Sequence, residues 1–421
     1  MKLNRLVSLA LALIMAMSVM SVSLAEDGTT LEVWYALGGS SGEAFLKIVD
    51  DFNDLNSGIV INPTYSGGYG DTATKITQAL KDKKTPDVLI GGQVTYSGAY
   101  GNFYTGDKAM EDPEFNFADV FEGLWEYGRY NGRICNIPYG ISTNTMFYNK
   151  ALAEGAGLDL VNDPPRTWVD FMEVCKKIKT AYADKQDFIP FVVSDEDWLS
   201  NSQIMQCGNP VIAHNEDYSV KTAAWGAEEC AKVAQWWQDM VREGVMDMTM
   251  NPNGANIFAA GNAVFFAGSS TKIIEWSETM GENLCAIEMP IFDVQAVAMG
   301  GNTLSIFPTD DEARNEAAWT FVKFITGSAE NGKFAVASGY LPIRASAAES
   351  EAVKTAVETM PAYAVAFKQL AYAGAYTNID DYVAKMNALA HFRQAVTGDL
   401  SYDALKAMQE SAQLYDAEAN E

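Results

Sequence analysis

The fold is decided by a stretch in which LEVWYAL (31–37), IVINPTY (59–65) and PDVLIGG (86–92) form three short β-rich runs. Apolar residues recur at helical spacing between the first two runs, and a second helix is predicted near residues 71–83. Strand and helix therefore alternate through this stretch. Such an alternation predicts a mainly parallel sheet with helices on both faces.

The same alternation restarts in the second half of the chain. Thr167 follows two prolines and precedes Asp170 by three residues, a pattern typical of a helix N-terminus. FIPFVVS (188–194) predicts a further strand, and residues 222–243 predict a long helix that ends at Gly244. The last hundred residues are largely helical in pattern. We therefore predict an α/β fold of two closely connected lobes with a helical C-terminal part.

The composition narrows the classes of function. The chain has 421 residues, 48% of them hydrophobic and 20% charged, as in globular proteins. Its 29 basic and 55 acidic residues give a net charge of −26, which disfavours binding to nucleic acid or to anionic membrane surfaces. The two histidines, His214 and His391, are too few for a histidine-based metal or catalytic cluster.

The N-terminal residues have the pattern of a secretory signal peptide. Lys2 and Arg5 precede the apolar run LVSLALALIMAM, and Ser23–Ala25 provides the small residues that a signal peptidase requires. We expect residues 1–25 to be removed on export, although a retained membrane anchor is the alternative. No cysteine stands at the cleavage point, so we expect a periplasmic or extracellular protein without a lipid anchor.

The five cysteines do not form a metal-binding or redox motif. Cys135, Cys175, Cys207, Cys230 and Cys285 include no CxxC pair. Export permits disulfides, but the odd number leaves at least one cysteine without an internal partner. Most of them are expected to be small buried residues.

Several segments, in order along the chain, resemble the family of extracellular solute-binding proteins of ABC importers, type 1. The segments are IPYGISTNTMFYNKALAEGAGL (137–158), DPPRTWVDFMEVCKKIK (163–179), FAAGNAVFFAGSS (258–270), AAWTFVKFITGSAENGKFAVASGYLPIR (317–344) and TGDLSYDAL (397–405). In the third segment, Val264 stands where the family pattern has methionine. The resemblance covers most of the chain after the signal segment.

This resemblance implies a two-lobed, periplasmic-binding-protein-like fold whose lobes close on a solute and dock on an ABC permease. The lobes implied are residues 26–138 with about 287–325, and about 139–286 with 326–421. Within the family, the spacing is most similar to the glycerol 3-phosphate-binding branch. The positions that match ligand contacts of that branch lie in TYSGGY (64–69), GGQV (91–94), Ser142–Thr143, GSS (268–270), GGN (300–302) and GYLP (339–342).

A small polar ligand needs hydrogen bonds that replace its water and flat apolar faces for its C–H surfaces. Trp34 and Trp198 are candidate platforms, with burial in a core as the alternative for each. Tyr69 follows two glycines in a turn, which favours exposure. Gln93 lies just past a strand, at the edge where open α/β sheets bind ligands. The resembled branch carries glutamate at this position.

Hydroxyl groups and glycines complete the set of candidate ligand contacts. Ser142 is a candidate, with ordinary turn chemistry as its alternative. Ser269 and Ser270 end a strand before the helix KIIEW, where free N–H groups suit phosphate or sugar oxygens; they could also serve only to cap that helix. Gly301 permits close approach to a ligand, or merely a tight turn. Tyr340 follows Gly339 and is the last candidate of this group.

A phosphate group would also need a cation. The resembled branch carries an arginine late in the chain, and the matching stretch NIDDYVAKM (378–386) offers Lys385 under one spacing and Asp380 under another. A solvated helix face is the alternative for Lys385, and Arg344 is expected to be structural. The chain thus lacks a clear match to the late arginine of that branch and has Gln93 in place of its glutamate. A neutral oligosaccharide therefore remains an alternative to glycerol 3-phosphate as the ligand.

Two functions from different classes remain open. The first is a monomeric binding protein without catalytic residues, metal or cofactor, which captures a sugar or glycerol-phosphate-like polyol for a permease. The second is a secreted glycan hydrolase, which needs only two well-placed acids. No GxSxG, HExxH or P-loop string supports an enzyme.

Overall fold

The predicted alternation of strands and helices forms the N-terminal part of the fold. In the computed structural model, strands Thr29–Tyr35 (β1), Ile59–Tyr65 (β2) and Val88–Gly92 (β3) alternate with helices Gly39–Asn53 (α1) and Tyr69–Asp82 (α2). Strand β1 lies between β2 and β3 and is parallel to both. The prediction made from residues 31–92 is therefore confirmed.

The structure describes residues 28–92, 94–375, 397–398 and 400–420. The further strands are Arg129–Tyr130 (β4), Arg133–Ile134 (β5), Ile137–Asn149 (β6), Ile189–Val193 (β7), Ile212–His214 (β8), Lys221–Ala223 (β9), Ala263–Ser269 (β10), Leu284–Ile287 (β11), Val297–Ile306 (β12) and Ala373–Gly374 (β13). The further helices are Thr95–Gly98 (α3), Tyr104–Glu111 (α4), Lys150–Gly155 (α5), Trp168–Ala181 (α6), Glu196–Met205 (α7), Ala231–Arg242 (α8), Gly254–Ala259 (α9), Lys272–Met280 (α10), Glu312–Thr326 (α11), Ser328–Ser338 (α12), Ala345–Ala348 (α13), Glu351–Thr359 (α14), Pro361–Gln369 (α15) and Ala404–Ala419 (α16). The predicted signal peptide lies outside the described residues.

Within the described part of the chain, two long strands join the halves of one nine-stranded sheet. The strand order is β2-β1-β3-β12-β6-β10-β7, with β11 added to β6 and β13 to β12. The pairs β1–β2, β1–β3 and β10–β7 are parallel, whereas β12 and β6 run antiparallel to each other and to β3 and β10. The sheet is therefore mixed: its outer pairs are parallel, the pairs that β6 makes are antiparallel, and the short strand β13 is parallel to β12.

Strand β6 belongs to both halves. Residues 137–143 pair with β12, and residues 144–148 pair with β10. The partner thus changes between Thr143 and Asn144. Because β12 also reaches from β6 to β3, these two strands form the connection about which the halves can bend.

Each half has its own apolar core, and we call the two halves the first and the second lobe. The core of the first lobe contains Val33, Phe45 and Trp319, and that of the second contains Trp168 and Trp236. A further apolar cluster packs beside β10 and α10. One main core in each lobe, on one shared sheet, agrees with the predicted two-lobed α/β fold.

Helix α12 packs on the first lobe, although residues from 326 onward were expected in the second. Its Phe334 stacks on Tyr139 with ring centroids 4.5 Å apart and is fully buried in the core of the first lobe. The expected boundary at residue 326 is therefore misplaced for α12, because this helix buries its apolar face against β6 and α1. The other boundaries stay predictions.

The helix predicted over residues 222–243 begins later than expected. Lys221–Ala223 is strand β9, and the residues up to Cys230 form two short 3-10 turns before α8 begins at Ala231. The predicted stop is confirmed, since Gly244 has a φ of +61°. Within the described residues, no helix has the length and apolar character needed to cross a membrane.

The lobes also meet at two hairpins outside the shared strands. Hairpin β4–β5 lies on the first lobe, where Arg133 pairs with Asp107 at 2.7 Å. Hairpin β8–β9 lies on the second lobe and ends in the loop that contains Tyr218. A Cβ placed on Gly132 would lie 2.7 Å from Tyr218 Cε2, so the tyrosine ring rests directly on this glycine. We call this the hairpin contact.

Candidate functional site

The candidate site is one face of the ladder between β6 and β12. Gly140 pairs with Asn302, and Ser142 pairs with Gly300. Directly opposed residues of an antiparallel pair point to the same face, and residues two apart on one strand do so as well. These four residues therefore share one face, at the junction of the two lobes.

An aromatic ring covers each of the two glycines. A Cβ on Gly140 would lie 3.0 Å from Tyr340 Cε2, and a Cβ on Gly300 would lie 2.7 Å from Trp198 Cζ2. Tyr340 is a buried member of the core of the first lobe, and Trp198 stands on α7 of the second. The glycines allow both rings to approach the strands closely, because any side chain would occupy the same space.

Asn302 links the strand ladder to the tyrosines. Its Nδ2 donates to the Tyr340 hydroxyl at 3.3 Å, and its Oδ1 accepts from the Gly140 N–H at 3.3 Å. The hydroxyls of Tyr69 and Tyr340 lie 3.2 Å apart. Desolvation raises the pKa of both tyrosines, so both hydroxyls remain neutral donors and acceptors.

Trp198 is held in a fixed orientation. The Asp195 carboxylate accepts from the Trp198 backbone N–H at 3.0 Å and so caps α7. The indole Nε1–H donates to the Ala298 carbonyl at 2.9 Å, which ties the ring to β12. The side chain is only partly buried, and it lies beside the face that carries Ser142. This arrangement offers an indole surface for the C–H groups of a ligand.

Gly301 has a structural role in this ladder. Its φ is +125°, and a Cβ there would lie 1.8 Å from the Gly140 carbonyl oxygen. The carbonyl of Gly301 accepts from the Tyr127 hydroxyl at 3.1 Å. Only glycine fits this position, because it needs both the unusual φ and the close approach of β6.

The two serines after β10 have different environments. Ser270 is fully buried and donates from its hydroxyl to the Gly339 carbonyl at 2.8 Å, which fixes the turn before Tyr340. Ser269 is partly exposed, and its hydroxyl accepts from the Thr271 N–H at 3.3 Å just before α10. Ser269 therefore bonds to Thr271, the residue directly before α10, and does not cap the helix with its side chain, whereas Ser270 supports the neighbouring turn.

One predicted residue is not brought to this face, and two others cannot be placed because they lie outside the described residues. Trp34 packs beside Ile76, Leu89 and Phe307 in a small separate cluster, which is the core alternative considered for it. Gln93 and Lys385 lie outside the described residues.

Arg344 is structural, as expected. It is 3% exposed, and its Nη1 lies 3.5 Å from an Asp119 carboxylate oxygen. Its Nε–H donates to the Thr326 carbonyl at the turn between α11 and α12. These contacts hold the guanidinium inside the first lobe.

Asn302 and Tyr127 were missed in the sequence analysis. The GGN motif drew attention to its glycines, but the role of the asparagine depends on the register that places it opposite Gly140. Tyr127 lies in a 3-10 turn (Glu122–Gly128) that no periodic pattern predicts. The pairing of β6 with β12 reveals the role of Asn302, and the hydrogen bond to the Gly301 carbonyl reveals that of Tyr127.

A groove of about 1010 Å³ lies elsewhere, on the second lobe beside β11. Its lining includes Lys150, Arg166, Cys285 and Met289, and none of the residues of the site face. The groove is therefore a separate feature.

Comparison with known proteins agrees with this architecture. The family model of bacterial extracellular solute-binding proteins matches residues 47–362. The sn-glycerol-3-phosphate-binding periplasmic protein of Agrobacterium fabrum is 25% identical over 355 residues, which are 81% of this chain and 80% of that protein. Its counterpart in Rhizobium meliloti is 23% identical over 338 residues, 77% of each chain.

Solved structures share the fold at low identity. The cyclic alpha-maltosyl-1,6-maltose binding protein of Arthrobacter globiformis superposes with a TM-score of 0.78 at 21% identity, covering 93% of this chain and 99% of that one. The glycerophosphocholine complex of UgpB from Mycobacterium tuberculosis gives a TM-score of 0.79 at 19% identity, covering 93% and 98%.

Proposed function

Because the chain belongs to the family of bacterial extracellular solute-binding proteins, we propose that it captures a hydroxyl-rich solute between its lobes and delivers it to an ABC permease. The solute is a carbohydrate or a glycerol-phosphate-like polyol, and it leaves the protein chemically unchanged. The observation that carries this proposal is the pair of aromatic rings, Tyr340 and Trp198, that approach one strand ladder from opposite lobes.

The chemistry of the face suits such a ligand. The Ser142 and Tyr69 hydroxyls and the Asn302 amide offer donors and acceptors, and the two rings offer apolar surfaces for C–H groups. The named residues of this face are neutral. A glycosidase would instead need two carboxyl groups placed on either side of the bond that it cleaves.

Binding is coupled to closure of the lobes. Tyr340 and Trp198 belong to different lobes, so a ligand that touches both gains its full set of contacts only in the closed arrangement. Strands β6 and β12 run through both lobes, and bending there moves the two rings relative to each other. The closed form is the one that we propose docks on the permease.

The names of relatives leave two ligand chemistries, and both belong in the test. The curated relatives are glycerol 3-phosphate-binding proteins, and the structural neighbours were solved as maltose-type and glycerophosphocholine-binding proteins. The face itself supplies neutral groups, which recognise the hydroxyls that these ligands share. A phosphate group would also need a positively charged side chain to bind it, and Lys385 stays the candidate for this role.

Isothermal titration calorimetry with glycerol 3-phosphate, glycerophosphocholine and maltose tests the proposal. We expect at least one of them to bind, and we expect Trp198→Ala to weaken its affinity about tenfold or more, since the ring contributes a large apolar contact. Ser142→Ala is expected to weaken binding about threefold to tenfold through the loss of one hydrogen bond.

Two further variants complete the design. Tyr340→Phe keeps the stacked ring and removes only the hydroxyl, so it separates ligand binding from folding better than Tyr340→Ala. Trp34→Phe is the matched control, because Trp34 packs in its own cluster, and its affinity should equal that of the wild type. Unchanged affinity in both Trp198→Ala and Ser142→Ala would refute the assignment of the site.

A further inference from the structure

The site face continues along β6 beyond Ser142. Side chains alternate along a strand, so Asn144 lies on the same face as Ser142. Asn144 pairs with Ser269 of β10, and directly opposed residues also share a face. Two residues further on, the pair of Met146 and Ala267 already belongs to the apolar core of the second lobe. Asn144 and Ser269 therefore form a polar pair between the site face and that core.

The Ser269 hydroxyl offers a hydrogen-bond donor. Its Oγ accepts from the Thr271 N–H at 3.3 Å and from the Thr271 hydroxyl at 2.9 Å. A serine hydroxyl has two acceptor lone pairs and one proton to donate. Both lone pairs are thus occupied by Thr271, and the proton remains for another acceptor. Because Ser269 is partly exposed, a ligand can reach this proton.

The side chain of Asn144 offers a hydrogen-bond acceptor. Asn144 is 1% exposed, and its Oδ1 makes no hydrogen bond to the described residues. Its backbone carbonyl, by contrast, accepts from Gln369 Nε2 at 3.0 Å. A buried acceptor without a partner is unfavourable, because it has given up its water on folding. The unfilled Oδ1 therefore indicates that a group from outside the chain binds at this point.

Donor and acceptor stand side by side on neighbouring strands. The Cβ atoms of such an opposed pair are roughly 4.5–5.5 Å apart. Ser269 does not donate directly to Asn144, since Asn144 Oδ1 makes no hydrogen bond within the described part of the chain. A group that satisfies both must accept from Ser269 and donate to Asn144. An alcohol hydroxyl does both, whereas the oxygens of a fully ionised phosphate only accept.

We propose that Asn144 and Ser269 form a subsite that binds one hydroxyl group of the solute. The ligand hydroxyl accepts from the Ser269 O–H and donates to Asn144 Oδ1. A water molecule can make the same two bonds before the ligand arrives, and the ligand then displaces it. This inference rests on the proposed function and narrows it, because a phosphate group of the solute would have to bind elsewhere.

Isothermal titration calorimetry of the full exported chain with maltose, glycerol 3-phosphate and glycerophosphocholine tests the subsite. Asn144→Leu keeps the size of the side chain and removes the acceptor, and we expect it to weaken the affinity for the bound probe about tenfold. Ser269→Ala should weaken it about threefold to tenfold. Because one ligand hydroxyl joins both residues, the double variant should lose less affinity than the product of the two single losses.

Thr145→Val is the matched control. Thr145 is the neighbour of Asn144 on β6, it is fully buried, and its side chain lies on the opposite face of the strand. Its affinity should equal that of the wild type. Wild-type affinity in both Asn144→Leu and Ser269→Ala, or a double variant whose loss equals the product, would overturn the subsite and leave the proposed function standing. A wild type that binds none of the probes would refute the proposed function, and the subsite with it.

The melting temperature of the unliganded protein gives a readout that does not depend on the choice of probe. A leucine at position 144 needs no hydrogen-bond partner, whereas Asn144 Oδ1 is buried without one among the described residues. We therefore expect Asn144→Leu to melt at the wild-type temperature or a few degrees higher. A melting temperature several degrees lower would show that Asn144 supports the fold, and it would overturn the assignment of its side chain to a ligand.

Discussion

At the scale of single residues, Gly301 is a position where the backbone cannot accommodate any side chain. Its φ of +125° and the Gly140 carbonyl, 1.8 Å from where a Cβ would be, leave no room for a side chain. We expect Gly301→Ala to lower the free energy of unfolding by about 3 kcal/mol or more, because the β6–β12 ladder must separate. Urea unfolding measures this loss.

The matched control is Gly261→Ala. Gly261 also has a positive φ, +72°, but no atom lies within 4 Å of the position of a Cβ. The backbone conformation alone should therefore cost about 1 kcal/mol there. If both variants lost the same stability, the close approach of β6 and β12 would not explain the need for glycine at 301.

The stability of the first lobe should depend on pH through Asp112. Its carboxylate accepts from Trp319 Nε1–H at 2.7 Å and from the Glu114 N–H at 2.8 Å, and it lies 3.0 Å from Lys323 Nζ. These contacts, the Trp319 bond foremost, lower the pKa of Asp112 from 3.8 to about 2. The folded state therefore favours the charged form, and its stabilisation is present above pH 3.8 and is lost as the pH falls through about 2.

Asp112→Asn tests this dependence. We expect the variant to be less stable by about 2 kcal/mol at neutral pH, and the difference from the wild type to shrink below pH 3.8 as the wild-type carboxylate is protonated. Chemical unfolding across this range measures it, with the exposed Asp310→Asn as control. A difference that stays constant with pH would show that charge is not the cause.

The residues of the site differ in how far the sequence could predict them. Ser142 and Tyr340 were expected at the site because motifs mark them, and their places on the β6–β12 face fit that expectation. Trp34 and Trp198 looked alike as isolated tryptophans, and only packing distinguishes them. Asn302 acquires its role from a strand partner distant in the chain, and such a pairing is not encoded in any local pattern.

At the scale of elements, the hairpin contact joins the lobes away from the shared strands. Tyr218 rests on Gly132 of the opposite hairpin, and the His214 ring supports it with centroids 5.0 Å apart. Because the contact joins the lobes, it stabilises the arrangement in which it forms, which we propose is the closed one. We expect Tyr218→Ala to raise the ligand dissociation rate about fivefold, which corresponds to the loss of one ring contact of about 1 kcal/mol.

Stopped-flow kinetics measures this rate, and the melting temperature of the unliganded protein serves as a check on folding. Val220→Ala, at a half-exposed position of the same hairpin, should leave the rate unchanged. A Tyr218→Ala protein with wild-type dissociation would mean that the hairpins do not contribute to closure.

Elements whose partners are near in sequence were predicted well, and others were not. The packing of residues 31–92 could be predicted from their alternation of strand and helix, because each helix lies on the strands that are its neighbours in the chain. The start of α8 was predicted too early. Lys221–Ala223 pairs with β8 as a strand, so the helix begins only at Ala231. The lobe of α12 was misplaced because its partners, α1 and β6, are distant in the chain.

At the scale of the whole molecule, the net charge of −26 should affect how ligands arrive. At low salt the field of an acidic protein extends roughly 30 Å and repels anions, and at physiological salt it extends only about 8 Å. We expect the association rate of an anionic ligand such as glycerol 3-phosphate to rise several-fold between these conditions. That of maltose should stay constant.

This comparison also separates the two ligand chemistries of the proposed function. Stopped-flow association at two salt concentrations is the measurement, and the neutral sugar is the internal control. An association rate that falls with salt for the phosphate would mean that a local positive field at the cleft outweighs the total charge.

The position of β12 sets the order in which the molecule can be completed. This strand lies between β3 and β6 in the sheet, yet it follows the whole of β6–β11 in the chain. A nascent chain that has not reached Ile306 lacks the strand that joins its N-terminal strands to β6, and α11 and α12, which bury that sheet, come later still. The ribosome must therefore finish most of the polypeptide before the sheet of the N-terminal lobe can be completed and covered.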